Sequence, residues 1–143
     1  MMDLDGATFL LQWSTGGLLF LWVTTRRREV GLGYGWLMRV TYILLAAGGV
    51  VLGARYGWQW GRDLAAVGLV ATSTFALVVS VIRRGAGVAG QRDRVERSEQ
   101  RVAAMTGIDR AEQRFDKNLA EFPPVLDLVP VLIGMAGLLI AGW

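Results

Sequence analysis

The chain contains no cysteine and no histidine. Without cysteine there is no disulfide, no thiolate nucleophile and no thiol redox sensor. Without histidine, Ser14, Ser73 and Ser80 have no imidazole to activate them. The usual side chains for haem, copper, zinc and iron–sulfur ligation are missing with both, so no cofactor and no metal site is expected. Lys117 is the only lysine among 15 basic residues, and Asn118 is the only asparagine. The glycine-rich run Gly31-Leu32-Gly33-Tyr34-Gly35 has no strand before it and no lysine after it. It reads as a flexible bend, not a phosphate cradle. No catalytic motif is present, and the protein is not expected to be an enzyme.

Apolar residues make up 53% of the chain and its mean hydropathy is +0.40, above the range of an ordinary soluble domain of 143 residues. They gather in four stretches, about 7–25, 36–54, 64–82 and 125–143. Each is roughly 19 residues, or about 28 Å as helix, which matches a hydrocarbon core of about 30 Å. The fold class expected is an all-α membrane protein: one domain, four transmembrane helices, and a cytoplasmic two-helix amphipathic loop between the third and fourth. The acidic N-terminus, with Asp3 and Asp5, does not have the pattern of a cleavable signal peptide.

The arginines set the orientation. Arg26, Arg27 and Arg28 follow the first span, and the segment 83–122 holds nine basic and seven acidic residues. The opposite side carries only Arg55 and Arg62, with Asp3, Asp5 and Asp63. Positive residues stay in the cytoplasm, so both termini are expected outside, in a bacterial inner membrane. Tyr56, Trp58, Trp60 and Trp143 mark the outer boundary; Trp22, Tyr34, Trp36 and Phe122 mark the inner one. The net charge of +3 serves topology on this reading, and nucleic acid is excluded as a partner.

In lipid, helices associate through close backbone approach and interhelical hydrogen bonds. Gly68, Thr72, Ala76 and Ser80 recur every fourth residue in span three, while Gly49 with Gly53 and Gly137 with Ala141 repeat the spacing in spans two and four. These eight positions are expected to pack helices together. Pro130, inside span four, predicts a kink. Arg39 and Asp127 are the ionisable residues that fall clearly inside spans, both near the cytoplasmic end. Matched depth predicts an intramembrane ion pair; the competing reading has Arg39 snorkelling and Asp127 complementing its helix N-terminus. Asp63 is expected to be exposed and to cap span three.

The segment 83–122 is too long for a simple connection. After a flexible exit at 85–90, a helix is expected over about 91–105, with Val95, Val102 and Met105 on one side. Gly107 suits a C-cap of positive φ. Asp109 and Glu112 then open a second helix carrying Phe115, Leu119 and Phe122 as an apolar stripe, with Arg110, Arg114 and Lys117 nearby. Such a stripe suits the membrane surface or a protein partner. Two four-span families are set aside: small fluoride channels, because the spans have no asparagine, and small multidrug transporters, because span one has no glutamate. The function expected is a small non-catalytic accessory subunit or assembly factor of a larger inner-membrane complex. Its partners would be the lipid bilayer, other integral-membrane subunits and a cytoplasmic protein. The alternative is a small oligomeric ion or solute transporter using Asp127 and Arg39.

Overall fold

A computed structural model describes residues 5–27, 31–87, 89–107 and 120–142. Among them the chain is all-helical, in the order α1 (Gly6–Thr25), α2 (Leu32–Tyr56), α3 (Trp60–Ile82), a 3₁₀ turn (Arg83–Ala86), α4 (Ala89–Thr106), a second 3₁₀ turn (Pro124–Asp127) and α5 (Leu128–Ala141). Four of these helical stretches are long and apolar enough to cross a membrane: 6–25, 32–56, 60–86 and 124–141.

The four pack as a ring. α1 lies against α2, α2 against α3, α3 against α5, and α5 against α1. Short connections make α1 antiparallel to α2 and α2 to α3, while the long segment 83–123 returns the chain to the same end of the bundle before α5. The centre is filled by Leu11, Leu18, Leu21, Ala46, Ala66, Leu69 and Val131. Small residues set how closely the backbones approach. Gly49 faces the carbonyl of Ala7 across α1–α2, where an added Cβ would sit 3.3 Å from that oxygen. A Cβ on Gly137 would fall on the side chain of Ala65, and one on Gly134 would fall on Thr15. Gly17 leaves room for the ring of Tyr42. Two buried hydroxyls on α1 are satisfied within their own helix: Ser14 donates to the Leu10 carbonyl at 2.8 Å and Thr15 to that of Leu11 at 2.7 Å.

Several boundaries differ from expectation. The glycines at 31–35 do not make a flexible bend: α2 begins at Leu32 and takes in Gly33 and Gly35. Packing outweighs glycine's weak helix propensity there. α3 starts at Trp60, which draws Arg62 and Asp63 into its first turns. Pro130 falls in the first turn of α5, because the preceding residues form a 3₁₀ turn. A proline there lacks an N–H that would have no helical partner in any case. The irregularity is thus a change from 3₁₀ to α at the start of the helix, instead of a kink inside it. After α3, Gly87 takes φ 65°, and after α4 Gly107 also takes φ 65°, the left-handed conformation that favours glycine.

Candidate functional site

Charged side chains are buried at both ends of the bundle. At the end where α1 finishes and α2 begins, Arg39 projects inward from α2. Its Nε donates to Oδ1 of Asp127 at 2.8 Å and its Nη2 donates to Oδ2 at 2.6 Å. The two side chains are 3% and 1% exposed, so this is a desolvated, bidentate pair. Two neighbours complete the cluster: the hydroxyl of Thr25 donates to Asp127 at 3.3 Å, and the guanidinium stacks 4.6 Å above the ring of Phe122. Asp127 is placed by the 3₁₀ turn that precedes α5, and it occupies the N-cap position of that helix. Its charge therefore also faces the positive end of α5.

A pocket of about 40 Å³ opens beside this pair, lined among others by Thr25, Gly31, Gly35, Arg39, Ser80 and Phe122. Ser80 is fully buried and accepts from the indole N–H of Trp36 at 2.9 Å. That bond ties α2 to α3. The pocket wall also includes Glu121, which forms an ion pair with Arg92 from α4. The Glu121 carbonyl accepts from Arg83 at 3.1 Å.

At the opposite end, Arg62 is 1% exposed and Asp63 is 1% exposed. The expectation that Asp63 is exposed is corrected here. Its carboxylate does reach back to the N-cap, accepting from the Gln59 N–H at 2.6 Å. It also receives Arg62 Nε at 3.0 Å and Nη2 at 3.1 Å. Arg62 further donates to the Gly57 carbonyl at 3.1 Å and pairs with Asp5, the N-cap of α1. The absence of a side chain at Gly53 makes this possible: a Cβ there would collide with the Asp63 carboxylate and approach Arg62 Nη2 to 2.9 Å. Asp5 caps α1 by accepting from the Thr8 N–H at 2.7 Å. Partial burial pushes its carboxyl pKa upward, but the hydrogen bonds from Thr8 and Arg62 and the charge of Arg62 outweigh this and hold it below its ordinary 3.8.

This second cluster was missed in the sequence. A charge at the edge of an apolar run has two fates, water or the bundle, and Arg62-Asp63 read as the first. Both residues lie just before the apolar run 64–82, and nothing in the local sequence separates the two fates.

Comparison with family models, curated proteins and solved structures gives no match.

Ala76 is buried on α3, and Gly68 approaches Ile133 of α5, where a Cβ would lie 3.2 Å from its methyl. Thr72 bonds back to the Gly68 carbonyl at 2.7 Å. Ala141 closes α5 and is partly buried. On α4, Val102 is 45% exposed and Met105 80% exposed. Phe122 is partly buried, with its ring under the Arg39 guanidinium. Arg110, Arg114, Phe115, Lys117 and Leu119 lie outside the described residues. The buried Ser73 Oγ, on α3, has no hydrogen-bond partner among the described residues.

Proposed function

We propose that the protein is a small, non-catalytic integral-membrane subunit or assembly factor of a larger complex in a bacterial inner membrane. Both termini would lie outside and the segment between α3 and α5 in the cytoplasm. The supporting observation is the division of its surface and interior. Buried charges pair off at both ends, and the centre between them is closed by Leu11, Leu18, Leu69 and Val131. The large apolar side chains turn outward instead: Phe20 is 60% exposed, Leu44 67%, Phe75 60% and Leu139 67%. A surface of this kind suits lipid and neighbouring helices. Gln12 also faces outward, away from the bundle centre.

Gentle extraction followed by mass identification of co-purifying chains tests the reading. A stoichiometric companion supports it. Purification as a homo-oligomer alone favours the transporter alternative, for which the pocket beside Arg39 and Asp127 is the specific observation. In that case reconstituted protein should carry a solute flux that Asp127→Asn abolishes.

A further inference from the structure

We propose that the pocket beside Arg39 is a binding site for one phosphate-type oxyanion, supplied by an anionic lipid headgroup or free in the aqueous phase. The inference goes beyond the subunit reading and does not depend on a partner.

A guanidinium has five N–H donors. In Arg39, Nε and Nη2 are engaged by Asp127. Nη1 makes no hydrogen bond to a described residue, and it lies next to Gly35, where a Cβ would come within 3.0 Å of it. Both Arg39 and Gly35 line the pocket. Ser80 is 0% exposed and lines it too. Its oxygen accepts from Trp36, but its own O–H has no acceptor among the described residues. Neither the Ser80 hydroxyl proton nor the pocket-facing edge of the Arg39 guanidinium has an acceptor among the described residues, and donors in so enclosed a place are costly to leave unmet.

The pocket also contains Gly31, the N-cap of α2, which has no side chain to satisfy the first N–H groups of that helix. These groups and the helix dipole add positive potential at the same place. The acid in the wall, Glu121, is neutralised by Arg92. The lining is therefore rich in free donors, with its carboxylates already committed. The volume of about 40 Å³ suits about three waters or the free oxygens of a single phosphate group. Arg39 would then hold Asp127 on one edge and the oxyanion on the other, which its planar fork allows.

The site sits on the arginine-rich side, close to where Arg26, Trp22 and Trp36 mark the end of the apolar region. This placement makes both sources accessible, and the experiment separates them. Full-length protein in neutral detergent is dialysed against inorganic phosphate. In parallel it is placed in nanodiscs of phosphatidylcholine with increasing phosphatidylglycerol, and native mass spectrometry counts the lipid retained.

Saturable binding of one phosphate per chain identifies the free anion. Retention of one phosphatidylglycerol per chain, without a phosphate response, identifies the headgroup. In either case Ser80→Ala, which removes the donor, and Gly35→Ala, which crowds Nη1, should weaken binding by ~10-fold, about the worth of one charge-assisted hydrogen bond. Val102→Ala on α4 should bind as wild type. The proposal is overturned if neither probe saturates in the wild-type protein, a result that needs no variant. It is also overturned if Ser80→Ala and Gly35→Ala both bind as tightly as wild type.

Discussion

Each buried charge among the described residues has a counter-charge: Arg39 with Asp127, and Arg62 with Asp63. Asp127→Asn would leave Arg39 buried without its partner, and loss of one member of such a pair costs about 3–5 kcal/mol. The double variant Arg39→Gln with Asp127→Asn should lose less than the sum of the singles. Unfolding in detergent micelles measures all three, and additive losses would mean that the two side chains are not coupled. Glycine carries similar weight on the far side. Gly53→Ala would drive a methyl into the Asp63 carboxylate, whereas at Gly49 the nearest atom, the Ala7 carbonyl oxygen, would lie at a tight but not overlapping 3.3 Å. Gly53→Ala should therefore destabilise by about 1–3 kcal/mol and more than Gly49→Ala. Asp5 adds a pH dependence. Its carboxyl is held below its ordinary 3.8, so the folded state binds the proton less readily than the unfolded state. Its contribution is present above that value and is lost as the pH falls through the depressed one. Wild type should exceed Asp5→Asn in stability at neutral pH, and the gap should close in acid titration below pH 3.8.

Among the helices, the ring depends on small side chains where α5 meets α3. A side chain at Gly137 would meet Ala65, so Gly137→Val should separate the two helices and cost about 1–3 kcal/mol. Thermal unfolding would read this directly, and an unchanged midpoint would contradict the contact. α4 behaves differently. Val102 and Met105 are exposed, and Arg92 ties the helix to Glu121. Serine at both apolar positions should leave the stability of the bundle within about 0.5 kcal/mol, since surface substitutions rarely do more. A loss of vesicle or partner binding in the same variant would mark α4 as a docking element.

At the scale of the molecule, the missing cysteines are an experimental advantage. A single cysteine can be introduced with no background. Gln59, between α2 and α3, and Ser98, on α4, are both exposed and lie on opposite sides of the proposed bilayer. In intact cells an impermeant maleimide should label Gln59→Cys and spare Ser98→Cys. The reverse pattern, or labelling of both, would overturn the orientation derived from the arginines. Such a result would leave the bundle itself untouched, because its packing does not depend on which face is outside.

The four long helices were legible in the sequence because a lipid-facing helix must stay apolar for about 20 residues, and no other element needs so long a run. Arg39 and Asp127 stood out for the same reason: a charge inside such a run is expensive, so matched depth pointed to their meeting. Position at the edge of a run carries no such information. Whether Arg62 and Asp63 turned to water or into the bundle depended on how far α3 extended and on the gap left by Gly53, across two other helices. The fate of Phe122 and the free edge of Arg39 were likewise decided by neighbours distant in the chain. Hydropathy is local and additive along a chain. Pairing, burial and cavities arise between segments, and only the packed bundle decided them.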